Sequence, residues 1–365
     1  MKKLLLSAVA CLTVFTGCAA LAAEEETLTW NERAMAAFSG GKKPEEVIPL
    51  LENGVRNGET EAMVNLAGFA ARGIGMKKDE AKAFALFEQA AAKGDSAALL
   101  NLGHACLHGK GTAPDQEKGR ALLRKAEKAG SSEAAYLLGV LAEKDLDIPG
   151  AMRHYAAAGK EHDKALNRLG ILTYLHEDDP KSDEHALKCL LTAAFRKYPP
   201  ALNNAAYVLT HRTDGKTPDW KAAEVCYRSA AEKGYAPAQF NLGILYSGGA
   251  GSDFFRPEEA VKHLRDAAAQ RHPGAQYLLG TAYRDGDGVP RDEGKAFEFY
   301  RLSAEQGYPF ACLQLAEMLE KGRGTKKDAA AAEIWRKRAE ELQQKKPALP
   351  DDSMQSSPEE KKNVR

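Results

Sequence analysis

The chain has 365 residues, of which 51 are basic and 51 are acidic, and 44% are hydrophobic. This hydrophobic content excludes a chain that is disordered throughout, and the balanced charge excludes a generally basic nucleic-acid-binding protein. Aromatic residues make up only 7% of the chain. We therefore expect a core built from many small residues, in a protein that does not bind nucleic acid.

The first 22 residues are typical of a secretory signal. A basic start at residues 1–3 is followed by an apolar run over 4–15 and by small residues at 20–22, and the run is too short to cross a bilayer. A second interpretation stays open, because residues 15–18 resemble a bacterial lipoprotein box in which Cys18 is lipidated. Both predict an exported protein of the periplasm or cell envelope, attached to a membrane only through a lipid on Cys18.

Residues 23–58 predict an N-terminal cap. The segment has helical character but does not follow the pattern of the sequence after it, and residues 45–51 fit the second helix of a degenerate first repeat. We expect this segment to cover one end of the repeat array that follows it.

A repeat of about 36 residues occupies 59–342. Its anchor is a glycine or alanine, and successive anchors are 36 or 37 residues apart except for one spacing of 31. The anchors are Ala67, Gly103, Gly139, Gly170, Ala206, Gly243, Gly280 and Ala316. An alanine precedes every anchor by five residues, so both positions lie on one face of a helix A, where a small residue allows another helix to approach.

A glycine turn and a second helix complete each unit. Five units carry Gly-x-Gly after the anchor, at residues 73–75, 109–111, 249–251, 286–288 and 322–324. Five copies at one phase indicate a helix-ending turn rather than a phosphate loop. Each unit therefore consists of helix A, a turn and helix B. Stacked units bury a continuous core that one unit alone cannot bury.

These motifs resemble the Sel-1-like repeats, which are relatives of tetratricopeptide repeats. The resemblance rests on residues 241–251 and 279–289 and on the helix-B endings at 230–234 and 304–307. It implies an all-α fold, a right-handed α-solenoid of about eight stacked helix-turn-helix repeats. It also implies a scaffold or adaptor rather than an enzyme.

Three middle units depart from the pattern. They have Asp145, His176 and Arg212 where the other units have the turn glycine, and two of them carry polar loops. Two interpretations stay open, a bend or flexible point of the superhelix and neutral variation of the loops. Beyond the repeats, residues 343–365 are rich in proline and charge without an apolar period, and this predicts a disordered tail.

The cysteines and histidines do not indicate a catalytic or metal site. Cys106, Cys189, Cys226 and Cys312 are scattered singly and occupy positions typical of small core residues. Exported relatives linked to β-lactam binding pair a cysteine in each helix of a unit, and that pairing is missing here. His104 and His108 flank Cys106 on helix A, but the three side chains would not converge on a metal. We expect no metal, no cofactor and no enzyme.

The helix-A amides are the candidate binding residues. Asparagine stands two residues before the anchor in four units, and glutamine stands four residues before it in two. The set is Asn65, Asn101, Asn204, Asn241, Gln239 and Gln276. In the tetratricopeptide relatives this asparagine faces the concave groove, where an amide can pair with both groups of a peptide backbone.

The predicted function is therefore recognition of a protein or peptide through the concave helix-A face of an exported scaffold. A polysaccharide-associated envelope scaffold and a β-lactam-binding repeat protein are the alternatives. The sequence does not identify the partner.

Overall fold

A computed structural model of the chain describes residues 28–176, 181–249 and 251–344. The predicted signal segment with Cys18, and residues 345–365 of the predicted tail, lie outside the described residues. Within these ranges the chain forms 18 α-helices and no β-strand, which confirms the predicted all-α fold. The chain divides into two compact units, Met1–Ala158 and Gly159–Arg365.

The first unit contains four helix pairs. They are α1 (Trp30–Ser39), α2 (Pro44–Arg56), α3 (Thr60–Arg72), α4 (Glu80–Ala92), α5 (Ser96–His108), α6 (Gln116–Lys128), α7 (Ser132–Lys144) and α8 (Ile148–Ala157). From α3 onward, each odd-numbered helix is a helix A and the next helix is its helix B. Buried alanine and leucine side chains from α1 to α7 form one continuous core.

The second unit contains five helix pairs. They are α9 (Asp163–His176), α10 (Ser182–Phe195), α11 (Pro199–Thr210), α12 (Trp220–Ala231), α13 (Ala236–Ile244), α14 (Pro257–Ala269), α15 (Pro273–Asp285), α16 (Glu293–Glu305), α17 (Pro309–Lys321) and α18 (Ala329–Gln343). A π-helical turn, Leu245–Gly249, and a short 3-10 turn, Ser252–Phe254, connect α13 to α14. Eight A–B pairs thus follow one another from α3 to α18.

Aspartate begins most of the B helices. At the start of α4, for example, Asp79 Oδ1 accepts a hydrogen bond of 2.8 Å from the backbone N–H of Lys82. Asp292 does the same for Lys295 at the start of α16, over 2.9 Å. Each such cap satisfies a backbone donor that has no partner inside the helix, and is worth about 1 kcal/mol.

The anchor glycines lie where helix A meets its own helix B. A Cβ added at Gly243 would lie 2.7 Å from Leu264, and one at Gly280 would lie 2.7 Å from the ring of Tyr300. Real Cβ atoms do not approach other atoms so closely, and both partners are buried. The predicted packing role of Gly243 and Gly280 is therefore confirmed.

In four of the five turns, those at residues 73–75, 109–111, 286–288 and 322–324, the two glycines have different roles. The first ends helix A in the left-handed conformation, as Gly109 does with a φ of 68°. The second allows the turn to touch the preceding B helix, since a Cβ at Gly111 would lie 2.1 Å from the carbonyl oxygen of Glu80. The turn therefore joins neighbouring repeats as well as the two helices of one repeat. In the turn of the unit anchored at Gly243, the glycines with positive φ angles are Gly248 and Gly251, whereas the sequence pattern predicts residues 249 and 251.

A carboxylate replaces the glycine contact in one middle unit. Asp183, fully buried near the start of α10, accepts hydrogen bonds from Thr213 N (2.6 Å), Thr213 Oγ1 (2.8 Å) and Asp214 N (3.1 Å). Arg212 also pairs with Asp214, and this hydrogen bond holds the pKa of Asp214 well below its usual range. The polar loop after α11 is thus fastened to the preceding helix B at the place where other units use glycine.

Two of the four described cysteines are core residues, as the sequence predicts. Cys106 and Cys312 are completely buried, whereas Cys189 and Cys226 are partly buried on α10 and α12. Burial raises the pKa of the Cys106, Cys226 and Cys312 thiols. These three thiols are therefore poor nucleophiles at neutral pH.

Candidate functional site

One stripe of helix A carries the predicted amides. The residue two before the anchor, the residue after the anchor and the residue four further on recur at helical spacing, so they share a face. On α3 this stripe consists of Asn65, Gly68 and Arg72, and on α5 it consists of Asn101, His104 and His108.

The structure brings Asn65 and Asn101 to one cavity in the first unit. The cavity has a volume of about 250 Å³ and involves α3, α4 and α5. Its lining residues are Val64, Asn65, Gly68, Phe69, Arg72, Phe87 and Asn101. Two amides from successive repeats, one guanidinium and two phenylalanines therefore surround a single space.

The Asn65 side chain is oriented by α1. Asn65 Nδ2 donates a hydrogen bond of 2.7 Å to Asn31 Oδ1, and Asn31 Nδ2 donates one of 3.0 Å to Glu61 Oε2. Asn101 is exposed, and its Nδ2 donates to the carbonyl oxygen of Ala97 on its own helix over 2.8 Å. Helix α1 thus positions one of the two amides.

His104 and His108 lie together on α5, on the same stripe as the cavity residue Asn101. Their ring centroids are 4.3 Å apart. Burial, followed by the charges of His108 and Lys110, lowers the pKa of His104, so this imidazole is neutral at physiological pH. Over the described ranges, no three His, Cys, Asp or Glu side chains are grouped to hold a metal ion.

In the second unit the asparagines form a buried ladder instead of an exposed row. Asn241 Nδ2 donates to Asn203 Oδ1 (2.9 Å), Asn203 Nδ2 donates to Asn204 Oδ1 (3.0 Å), and Asn204 Nδ2 donates to Asn167 Oδ1 (2.8 Å). All four side chains are buried, with Asn204 at 0% and Asn241 at 2% exposure. The resemblance implied that Asn204 and Asn241 face an open groove, whereas both are buried and pair across α9, α11 and α13.

The two glutamines are buried as well. Gln239 Oε1 accepts from Gln270 Nε2 over 2.9 Å, and Gln276 Oε1 accepts from Gln306 Nε2 over 2.6 Å. Each pair links a helix A to the end of the following helix B. Whether Gln239 and Gln276 also contact a peptide stays a prediction, although burial leaves both with little accessible surface.

A second cavity lies at the far end of the second unit, between α15 and α17. Its volume is about 290 Å³, and its lining is mainly charged. The lining residues are Arg284, Asp285, Glu293, Gln314, Glu317, Met318 and Arg323. Arg284 donates to both carboxylate oxygens of Asp285 over 2.7 Å and to Gln314 Oε1 over 2.8 Å, so its guanidinium is already paired.

Sequence reasoning missed Arg72, Gly68 and Arg284 as cavity residues. All three share the helix-A stripe or adjoin it, so a scan of the whole stripe rather than of its asparagines would have found them. It also missed Asn31 and Asn167, which accept hydrogen bonds from the predicted site residues Asn65 and Asn204. Neither residue stands two positions before an anchor, where the other asparagines recur.

A family model described as the Sel1 repeat matches residues 60–95, 96–131, 163–194, 199–235, 236–272, 273–308 and 309–343. The chain belongs to the Sel1 repeat family. The predicted unit at Gly139 lies between the second and third matched repeats, where the structure forms the pair α7–α8. Members of the Sel1 repeat family generally serve as protein–protein interaction scaffolds and are typically not enzymes.

A solved Sel1 repeat protein from Oxalobacter formigenes has the same fold. It superposes with a TM-score of 0.63, covering 82% of this chain and 91% of that one at 24% identity. An uncharacterized protein of Neisseria meningitidis is 36% identical over 157 residues, which are 42% of this chain and 31% of the relative.

An exopolysaccharide production negative regulator of Rhizobium leguminosarum bv. viciae is another relative of this Sel1 repeat chain. It is 46% identical over 50 residues, 14% of this chain and 19% of the relative. The matches thus span less than a third of the length of either curated relative.

Proposed function

We propose that this Sel1 repeat protein is an exported scaffold or adaptor that binds a protein or peptide through the helix-A face of its first unit. The cavity between α3 and α5 carries the proposal, because amides of two successive repeats line the same accessible space. An amide can accept from a backbone N–H and donate to a backbone C=O, so Asn101 is suited to hold an extended chain.

Of the six predicted binding residues, only Asn65 and Asn101 contact the peptide in this proposal. Asn204 and Asn241 donate to other asparagines inside the second unit, and Gln239 and Gln276 accept from neighbouring glutamines. Using them for a partner would mean breaking buried hydrogen bonds, each worth about 1 kcal/mol or more. Asn65 and Asn101 also donate one hydrogen bond each through Nδ2, but Asn65 is only partly buried and Asn101 is exposed, so a partner can reach both amides more easily.

We propose non-covalent recognition without catalysis, metal or cofactor. The thiols of Cys106 and Cys312 are buried, and each cavity lacks a serine, cysteine or histidine nucleophile among its described lining residues. Recognition by a scaffold needs only complementary shape and hydrogen bonding.

Affinity capture from the native envelope tests the proposed function. The full chain carries a tag after residue 365, and the double variant Asn65→Ala plus Asn101→Ala is compared with Gln89→Ala plus Lys125→Ala on exposed positions of α4 and α6. We expect the wild type and the control to capture the same protein and the asparagine variant to lose most of it. Capture of no protein, or equal capture by the asparagine variant, would contradict the proposal.

Export and anchoring are tested at the N-terminus. We propose that residues 1–22 direct export, with cleavage after Ala22 or before Cys18. Nowhere in the described ranges is a helix long and apolar enough to span a bilayer. Mass analysis of the mature protein distinguishes an unmodified start at Ala23 from a lipidated Cys18. The substitution Cys18→Ser should abolish lipidation and leave cleavage after Ala22 unchanged. An intact Met1 in the envelope fraction would contradict cleavage.

A polysaccharide-associated scaffold is the second candidate, and the name of the Rhizobium relative favours it. Retention of the purified protein on immobilised envelope polysaccharide, with no protein recovered by affinity capture, would favour this function over peptide binding.

A further inference from the structure

Gly68 lies inside α3 without a packing reason. A Cβ at most other helical glycines would lie within about 3 Å of a neighbouring helix. At Gly68 the nearest atom is Arg72 Nη2 at 3.7 Å, which is ordinary van der Waals contact. A helix-interior glycine costs about 0.5–1 kcal/mol relative to alanine. Other units have a side chain here, such as His104 or Val140, so the bare backbone at Gly68 opens the cavity.

The cavity has an apolar floor and a polar rim. Phe69 and Phe87 are 9% and 7% exposed, whereas Arg72 and Asn101 are exposed. The guanidinium of Arg72 makes no hydrogen bond or ion pair with any of the described residues. An occupant that satisfies this arrangement places an apolar group deep in the cavity and an anion at its edge.

The size and shape of the space restrict the occupant further. A volume of about 250 Å³ lies below the roughly 300–1,000 Å³ of pockets that hold drug-sized ligands. It suits one amino-acid residue rather than a folded element. An acidic side chain would put its methylene groups at the rim and its charge at the phenylalanine floor, which is the reverse of what the lining favours. A C-terminal residue carries an apolar side chain and a carboxylate on the same Cα, which matches floor and rim together.

We propose that the α3–α5 cavity binds the C-terminal residue of a partner polypeptide, a proposal that rests on the proposed peptide-binding function. The apolar side chain of that residue lies over Gly68 against Phe69 and Phe87. Its carboxylate pairs with Arg72, and Asn101 holds the backbone amide before it. The space above the bare backbone at Gly68 sets the largest terminal side chain that the cavity can hold.

Selection from random decapeptides displayed with free C-termini, on the full-length wild-type protein, tests this proposal. Selected peptides are then synthesised with a free carboxylate or an amidated end, and binding is measured by fluorescence polarisation. We expect medium-sized apolar terminal residues, and at least about tenfold weaker binding of the amide. Equal binding of the amide, or selection of internal acidic residues without a terminal preference, would refute the proposal.

Three variants and one matched control locate the site. Arg72→Gln should lose about tenfold in affinity and also lose the preference for the free carboxylate, whereas Arg124→Gln on exposed α6 should lose neither. Gly68→Leu should abolish binding by filling the cavity, and Gly68→Ala should weaken binding most for the largest terminal residues. Both Gly68 variants are expected to fold, because the nearest atom to an added Cβ is the end of the flexible Arg72 side chain, at 3.7 Å.

The outcomes separate this proposal from the function on which it rests. If affinity capture recovers a protein whose binding is unchanged by Arg72→Gln and Gly68→Leu, the scaffold function stands and the C-terminal pocket is wrong. If the peptides bind with the expected carboxylate dependence but capture recovers nothing, the pocket stands as a binding site and the scaffold function fails.

Discussion

Replacing Gly280 with alanine should destabilise the α15–α16 pair, although alanine is the better helix former. The added Cβ would lie 2.7 and 2.8 Å from Cδ1 and Cε1 of Tyr300, which is fully buried. The ring cannot turn aside easily, because its hydroxyl lies 3.0 Å from Thr281 Oγ1 and its centroid 5.7 Å from that of Tyr277. Overpacking costs about 1–3 kcal/mol, and helix propensity returns about 0.5–1 kcal/mol, so the net loss is centred on about 1 kcal/mol and is at most about 2.5 kcal/mol.

Hydrogen exchange followed by mass spectrometry measures this loss locally. Since about 1.4 kcal/mol corresponds to a factor of ten, amides of α15 and α16 should exchange about 5-fold faster in Gly280→Ala, and at most about 60-fold faster. Coupling in repeat proteins runs between neighbours, so distant helices should change less. Gly68→Ala is the matched control and should slow exchange in α3, because its Cβ meets nothing closer than 3.7 Å. Identical responses of the two glycines would refute the packing argument.

Three further predictions follow from buried polar groups and thiols. Asn204→Ala should lower the free energy of unfolding by about 1–3 kcal/mol by removing a hydrogen bond from each of the buried amides of Asn167 and Asn203, and an unchanged urea midpoint would contradict the ladder. Arg212 lowers the pKa of Asp214, so the stability from Asp214 is complete above the ordinary carboxyl pKa and is lost as pH falls through the lower folded value. The thermal-stability difference between wild type and Asp214→Asn should therefore shrink from about pH 5 to about pH 2, and a constant difference would exclude this linkage. Cys106 and Cys312 are buried with raised thiol pKa values, so maleimide should label them slowly in the folded protein and promptly in urea, whereas equal rates would place them outside the core.

The fold could be predicted from the sequence because one steric constraint recurs in every unit. Helix A must approach helix B closely, and only glycine or alanine at the anchor permits this. The turn glycines repeat for a similar reason, since Gly111 lets the turn contact the backbone at Glu80. In one of the three units that lack this glycine, the buried carboxylate of Asp183 makes the contact instead. This replacement is not periodic, and so no comparison between repeats could have revealed it.

The burial of the asparagines could not be predicted from their own position in the repeat. Asn204 and Asn241 each donate to an asparagine three residues before the anchor of the preceding unit, Asn167 and Asn203 respectively. Asn101 has Val64 at the equivalent place and therefore has no amide there with which to pair. The same residue at the same register is thus a core residue in one unit and a surface residue in another, depending on its neighbour.

The dependence of each asparagine on its neighbour in the preceding unit also favours the first unit as the place of the proposed recognition. A polar side chain that is buried and paired adds stability, and a partner could use it only by first breaking its hydrogen bonds. Val64 cannot pair with Asn101, and Gly68 contributes no side chain to fill the space beside it, so α3 and α5 leave an amide and the guanidinium of Arg72 facing an open cavity. Alanine at Gly68 would make α3 more stable by about 0.5–1 kcal/mol. The glycine gives up that stability and keeps the cavity open, as the proposed binding site requires.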